Sequence, residues 1–490
     1  MEKKLYSLKD TKDPTKQDLY IKKSGGVQDF FTYFNSFSLK KWKYYTTLEQ
    51  VTLRMEVRGK WKITWQSAGE PGIQSLLEET ISGGMYEHTM AAESISAVLV
   101  GFQLQPLSQD AAIVSGAWYG SFSQWEDKKI GISITTFKRE SYVTKNMALL
   151  KQFQQDHPWL YLQVVDNGST LPEEQTDRFR LLHNPNFGGS GGFTRGLIEY
   201  VNAGNVDYVL LMDDDINIET SALERTHSLI CSLKKEFAES FLAGAMLQME
   251  EPVIQHENTA YWNKIRLHAF GRGFDLTHTY TLVENEQLEK RKNRYGAWWY
   301  CCMPIERIKT IGYPLPMFVK GDDMEYGIRN HRPWIHMNGI GVWHQAFAAK
   351  QNRVVDYFND RNMLILSHYA DGCGAGSFLA TLICRLGRHI LRGNGEGIRM
   401  YEKVIADYAY GFNIITSIGA DEKLKEVQTY CNKKRIPFSV FYSLVNGIRE
   451  FFLYGRRHQS YLQFQKGKLQ NQQFWVEYLK IKGEQDASKH

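Results

Sequence analysis

From about residue 45 to 125 the chain reads as strand. TLRMEVRGKWKITWQ, ESISAVLVGFQLQ and GAWYGSFSQW alternate apolar with polar positions or collect β-branched and aromatic residues, with Gly and Pro turns between them. This predicts a small all-β unit, serving either sugar binding or packing. At WEDKKIGISITTFKRE the pattern changes. A short apolar strand, Ile130 to Thr135, precedes the helix-like ESYVTKNMALLKQFQQ, and a second strand follows in YLQVVDNGST. Alternation of this kind predicts a parallel sheet with crossover helices, continuing through FRLLHNPNFGGSGGFTRGLIEYV to VDYVLLMDDD. After about Ala349 the pattern is helical to the end, with apolar faces beside Arg, Lys and His. The expected units are a β-rich domain over 1–126, an α/β domain over 127–350 and a helical domain over 351–490.

Composition narrows the class. At 490 residues, 43% hydrophobic and 23% charged, the chain has the make-up of a globular protein of several domains. A net charge of +5 is mild for this length and its basic residues are dispersed until the last quarter, which argues against nucleic acid as the main partner. The six cysteines show no CxxC spacing and read as reduced thiols. MEKKLYSLKD lacks the apolar core of a signal peptide, and no stretch approaches the ~18 apolar residues of a spanning helix. The expected location is the cytoplasm, with docking on the inner face of the cell membrane left open. KKRIPFSVFYSLVNGIREFFLYGRRHQSY mixes aromatics with Lys and Arg, so it suits an anionic membrane surface or a helix packed on its own core. The helical segment equally suits a homo-oligomer interface.

Candidate chemistry begins where the strand YVLLM runs into Asp213, Asp214 and Asp215. Three carboxylates at the end of a buried strand need a cation, basic partners or solvent beside them. Hard oxygen ligands suit Mg²⁺ or Mn²⁺, and the carboxyl ends of strands in open α/β sheets are where ligands bind. In NPNFGGSGGFTRG, Gly191 and its neighbouring glycines either let a backbone approach an anion at a helix start or form a plain loop. The stretch fits neither GxGxxG nor a P-loop. Arg139 and Arg195 could pair with phosphate, and Asp166 could accept from a base or ribose or simply organise its Asp-Asn-Gly-Ser turn. In FVKGDDMEYGIR, Asp322 and Asp323 offer a general base or a helix cap. His344 ends the strand GIGVW as a structural histidine or a third metal ligand.

Taken in order, TTFKR, VVDNGS, the glycine loop, LLMDDD, GDD and WH resemble a nucleotide-sugar glycosyltransferase of family 2 with the GT-A fold, over about Ile130 to Phe347. NFGGSGGFTRG, DDDI, DDMEYGIR, WHQAF and YFNDRNMLI resemble more closely the bacterial galactofuranosyltransferases of the galactan-polymerising type. The resemblance implies a β-sandwich before the catalytic domain and helices after it. It implies that Asp213, Asp215 and His344 hold a divalent metal, that Asp323 is the base and that Asp322 positions the acceptor. It further implies that Asp166, Arg139, Arg195, Gly191 and Asp214 serve the nucleotide-sugar, with Trp298 and Trp299 of GAWWYCC lining the acceptor site. The implied reaction is inverting transfer of a sugar, foremost galactofuranose from UDP-galactofuranose, to a cell-surface polysaccharide or lipid-linked glycan. Other nucleotide-sugars, or a carbohydrate-binding role without catalysis, are the alternatives. One departure stands out: Gly321 precedes the acid pair where those polymerases carry a tryptophan.

Overall fold

The computed structural model describes residues 1–70, 72–346, 353–411, 413–416 and 420–481. Phe347, Ala349 and the expected boundary at 350/351 lie outside them. The fold is mixed α/β with a helical C-terminal region.

The N-terminal strands form one antiparallel seven-stranded sheet centred on β1 (Leu48–Gly69), which pairs along its length with β2 (Gly72–Ala91). On its other edge β1 changes neighbours: Leu48 to Arg58 pair with the Ala112–Phe122 strand and Trp61 to Ala68 with the Leu99–Pro106 strand. Gly59, with φ +68°, sits between the two stretches. The expected sandwich is thus one continuous sheet sharing a long central strand, and rings from its two halves meet, Trp65 lying 5.9 Å from Trp118.

The second sheet positions the candidate site. Along the chain its surroundings comprise β3 (Ile130–Thr136), α1 (Glu140–Asp156), β4 (Leu160–Asp166), β5 (Phe179–His183), α2 (Gly188–Ala203) and β6 (Tyr208–Asp213). There follow β7 (Asn217–Ile218), β8 (Phe241–Ala243), β9 (Ala245–Gln248), β10 (Gln255–Glu257), β11 (Cys301–Pro304), α3 (Asp322–Arg329), β12 (Trp334–Ile335) and β13 (Gly341–His344). The sheet order is β5-β4-β3-β6-β11-β8-β12, parallel from β5 to β6 and antiparallel at β11. Ile130, Ile132 and Ile134 of β3 and Val209 to Met212 of β6 are wholly buried, because helices cover both faces of a parallel sheet. Helix α1 buries Val143, Met147 and Leu150 at the 3–4 residue spacing of an amphipathic face.

From β3 the chain winds outward through β4 to β5, then returns over α2 to β6 on the other side of β3. The gap between the ends of β3 and β6 is the switch point at which open α/β sheets bind ligands. The glycines of α2 let this helix lie close to β3. A Cβ on Gly192 would come within 2.2 Å of Thr135 Cγ2, and one on Gly196 within 2.0 Å of Ser133 Oγ. A smaller sheet of order β7-β13-β9-β10 carries the chain beyond the acidic triplet.

The C-terminal region contains α4 (Arg353–Leu366), α5 (Ala375–Leu391), α6 (Gly395–Ala409) and α7 (Ile436–Phe464). No helix among the described residues is long and apolar enough to cross a membrane.

The contact of Gly196 with β3 predicts that Gly196→Ala destabilises by about 1–3 kcal/mol, the usual cost of overpacking. Adding Ser133→Gly, which removes the clashing hydroxyl, should recover part of the loss. Thermal midpoints of the three proteins test this, and an unaltered midpoint in Gly196→Ala would refute the packing argument.

Candidate active site

A cleft of about 940 Å³ opens at the switch point, lined by the acidic triplet, Arg139, Trp298, Trp299, Asp322, Asp323 and His344. Asp213 ends β6 in register with Thr135 of β3. The turn that follows is tied down by Asn146 of α1, whose amide donates to the carbonyls of Asp214 (2.9 Å) and Ile216 (3.0 Å). Next, β7 pairs with β13, Asn217 opposite Trp343, which carries His344 back onto the triplet. His344 Nε2 lies 3.1 Å from Asp215 Oδ1 and 3.9 Å from Asp213 Oδ2.

Asp213, Asp215 and His344 each offer a ligand atom within 4.8 Å of the others. Two carboxylates and one imidazole suit Mn²⁺ or Mg²⁺ by donor chemistry. His344 Nδ1–H donates to the Gln345 carbonyl at 2.6 Å, which orients Nε2 toward the carboxylates as outer-shell partners of ligating histidines do. Burial alone would lower the pKa of His344, but the hydrogen bond its imidazole donates to Asp215 and the charges of Asp213 and Asp215 outweigh it and raise it. Arg139, beside the start of α1, adds a second cation, with Nη1 2.6 Å from Asp215 Oδ2 and 3.2 Å from Asp214 Oδ1. Asp214 faces away from the metal-type cluster: its Oδ2 accepts from Thr136 at 2.7 Å. Burial pushes its carboxyl up to about 6 despite Thr136 and Arg139.

The second acid pair begins α3. Gly321, at φ +89°, turns the chain into that helix, a conformation that suits glycine and disfavours a tryptophan. Asp323 Oδ1 accepts from the Met324 amide at 2.8 Å. Burial raises both carboxyls, Asp322 further than Asp323 because Asp323 repels its charge. Ahead of them the loop is strained, with Phe318 at φ +73° and Lys320 at φ +65°. Two clamps hold it. Asn362 of α4 donates to the carbonyls of Val319 (2.9 Å) and Lys320 (2.6 Å), while Ser190 of α2 donates to Leu315 O (2.9 Å) and receives the Met317 amide (3.2 Å). The glycine loop and the YFNDRNMLI segment therefore meet the site as its scaffold.

Three sequence-based candidates stand elsewhere. Asp166 is wholly buried, with Oδ1 accepting from Gly168 N (2.8 Å) and Oδ2 from Thr170 N (2.6 Å) and Leu171 N (2.8 Å), so its carboxylate organises a turn. Arg195 points along its helix to Glu199, Nε to Oε1 at 2.7 Å. Gly191 packs on Phe187, where a Cβ would lie 2.2 Å from Phe187 Cβ. Gly189 is the glycine of that loop that reaches the cleft. Trp298 and Trp299 do line it, Trp299 Nε1 donating to the Gly244 carbonyl at 2.9 Å and Trp298 meeting Phe193 edge-on at 5.2 Å. Arg272, Lys320, Asp356 and Asn359 also line the cleft and escaped the sequence reading. Lys320 had a signal, since it precedes the acid pair in FVKGDD; Arg272 comes from a distant loop with none.

The family model described as "Galactofuranosyltransferase 2 N-terminal" matches residues 4–120. The Galactofuranosyltransferase GlfT2 of Mycobacterium tuberculosis is 27% identical over 394 residues, covering 72% of this chain and 60% of that protein. Its namesake in Mycolicibacterium smegmatis is 26% identical over 458 residues, covering 83% and 68%. The chain thus spans about 60% of the length of the M. tuberculosis relative. Among solved structures, S. aureus TarS 1–349 aligns over 68% of this chain and 91% of its own at 16% identity, with a TM-score of 0.36, too low to carry weight. In its N-terminal segment and through most of its length, the chain is similar to galactofuranosyltransferases.

Proposed function

We propose that the chain is an inverting, metal-dependent glycosyltransferase of GT-A type that transfers galactofuranose from UDP-galactofuranose to a cell-surface polysaccharide or lipid-linked glycan. The proposed organisation is a β-rich unit over 1–126, a catalytic unit over 127–350 and a helical unit over 351–490. The observation that carries this reading is the meeting of Asp213, Asp215 and His344 with the Asp322–Asp323 pair in one switch-point cleft, in a chain related to galactofuranosyltransferases.

Inverting transfer is an in-line displacement at the anomeric carbon, so it needs a base on the attacking hydroxyl and a neutralised diphosphate leaving group. Asp213, Asp215 and His344 would hold Mn²⁺ or Mg²⁺, which supplies charge neutralisation at the diphosphate. Arg139, Lys320 and Arg272 add positive charge along the cleft wall. Trp298 and Trp299 offer aromatic surface for the acceptor sugar. Asp323 takes the proton. Because its neighbour Asp322 titrates higher, Asp323 ionises first, leaving a protonated Asp322 able to donate a hydrogen bond to the acceptor. The clamps on the Val319–Lys320 backbone keep this pair in place.

Asp323→Asn should lower kcat by about 10²–10⁴, the range of a positioned general base, with donor binding retained. Near-normal turnover would remove Asp323 from that role. In the parent enzyme kcat should rise with pH through about 6, where Asp323 ionises. The same raised value means the fold retains protons that the unfolded chain has released, so this stabilisation is full below the ordinary carboxylate range and fades as pH rises through the folded value. Asp323→Asn should therefore match the parent's thermal midpoint at low pH and exceed it at pH above that value.

UDP and UDP-galactofuranose should raise the thermal midpoint with Mn²⁺ present and not after chelation. Asp215→Ala should weaken metal binding by about 100-fold or more, beyond the 10–100-fold typical of outer-shell partners. Unchanged metal affinity would reject the site. A response to dTDP-rhamnose in place of UDP-sugars would replace the donor, and no response to any nucleotide-sugar would favour a non-catalytic carbohydrate-binding protein.

Asn362→Ala, which frees the strained loop, should reduce kcat by about tenfold to a hundredfold with donor KM little changed, as misplacement of a reacting group does. Equal loss of kcat and donor binding would indicate general damage instead.

A further inference from the structure

Helix α7 is inside-out. The side chains it turns to the protein are Ser439, Ser443, Gly447, Glu450, Tyr454 and Tyr461, small or polar at steps of three, four and seven. Gly447 lets α5 approach closely: a Cβ there would lie 2.5 Å from Leu382 Cδ1. Glu450, wholly buried, is paired with Arg457 at 2.8 Å, and Tyr454 donates to the Ser367 carbonyl at 2.8 Å. The opposite face carries Phe438, Phe441, Val445, Ile448 and Phe452, again at helical spacing, and is open to solvent. Phe438 is 65%, Phe441 67% and Phe452 78% exposed, where an ordinary surface helix keeps its rings inside.

The neighbouring helix extends the surface. Helices α5 and α7 pack together, and Gly395, just beyond α5, lies against Ile436 at the start of α7, a Cβ on it meeting Ile436 Cδ1 at 3.0 Å. Leu391, the last residue of α5, is 90% exposed at that end, with Ile390 also exposed. Around it stand the exposed cations Arg392, Lys433 and Arg435 with one exposed acid, Glu396, and along α7 the exposed Arg449 and Arg456. From Lys433 to Phe464 the sequence contains six Lys and Arg and a single acid, Glu450, which is the buried one.

We propose that the outer face of α7, with the C-terminal end of α5, docks on the surface of an anionic lipid bilayer, its rings entering the headgroup boundary and its arginines meeting lipid phosphates. Two observations select lipid over a second copy of the chain. The face is flanked by cations without exposed acids on α7, so two such faces would repel, whereas a negative surface complements them. The apolar residues also form a stripe running about 14 residues along a 29-residue helix too polar to span, the geometry of a helix lying in an interface. The docking does not depend on the sugar-transfer reading, since none of these side chains lines the cleft.

The test is flotation of the full chain with vesicles of phosphatidylglycerol and phosphatidylcholine in equal parts, and with phosphatidylcholine alone. The protein should rise with the first and not the second. The triple variant Phe438→Glu, Phe441→Glu, Ile448→Glu should lose binding by about a hundredfold or more, since each large apolar side chain withdrawn from water contributes about tenfold. All three positions face solvent, so a thermal midpoint equal to the parent's is expected and shows the fold intact. Arg435→Glu with Arg449→Glu should abolish the preference for anionic vesicles. Asp323→Asn should float like the parent, which separates failure of docking from failure of catalysis. A parent protein that stays with the soluble fraction overturns the proposal, as does light scattering that shows an oligomer which the triple variant converts to monomer.

Discussion

The organisation of the cleft depends on one electrostatic problem, three consecutive carboxylates at the buried end of β6. Such charges cannot be packed together without compensation. Compensation comes from two directions. Arg139 arrives from the end of β3, the neighbouring parallel strand, and His344 arrives from β13 through its pairing with β7, two residues beyond the triplet. The topology that brings β3 beside β6 is the reversal of strand order, so the switch point and the charge cluster share one cause. Asp214 divides the labour: turned inward to Thr136, it fixes the turn and leaves Asp213 and Asp215 to face His344.

The acid pair on α3 shows how a structural and a chemical reading coexist at one position. Asp323 does bond the backbone of the first turn, as a residue at a helix start is expected to do, and it still lines the cleft. Helix start and base are compatible because a carboxylate has two oxygens and the amide occupies one. The cost lies upstream, where non-glycine residues Phe318 and Lys320 hold left-handed backbone conformations at about 1–3 kcal/mol each. Ser190 and Asn362, from helices more than a hundred residues apart in sequence, offset it by hydrogen bonds to that loop.

What could be read in the sequence followed physical range. Strand-end acids, the His344 strand and the alternation of strand and helix are local patterns, and the cleft contains Asp213, Asp214, Asp215, Arg139, Asp322, Asp323, His344 and both tryptophans. Arg195 and Asp166 do not line the cleft, and local pattern cannot say which way a polar group points. Glu199, one helical turn on, takes the arginine, and three amides of its own turn take the aspartate. The glycines of α2 invite a ligand reading, yet Gly192 and Gly196 are required by the approach of β3, a contact invisible without the fold. Strand β2 falls inside the 45–125 stretch that reads as strand but carries no signal of its own, since it is exposed along most of both faces and lacks alternation.

Aromatic side chains border open space in two different ways in the cleft and on α7. At Trp298 and Trp299 the rings are nearly buried yet border the cleft, anchored by Gly244 and Phe193, so they form a rigid wall. On α7 the rings of Phe438, Phe441 and Phe452 stand largely in the open, Phe452 meeting Phe451 of the same helix edge-on at 5.2 Å, and the helix is pinned through its small and polar side, Ser439 to Glu402 at 3.1 Å and Glu450 to Arg457. A helix evolving only to cover its own core would place Phe438 and Phe441 where Ser439 and Ser443 stand, gaining about 1.5–3 kcal/mol for each ring removed from water. With the buried side furnished by small and polar groups, the apolar side is left open among the described residues. Along α7 itself the exposed charges are cations and its one acid, Glu450, is buried, a distribution that complements a negative surface.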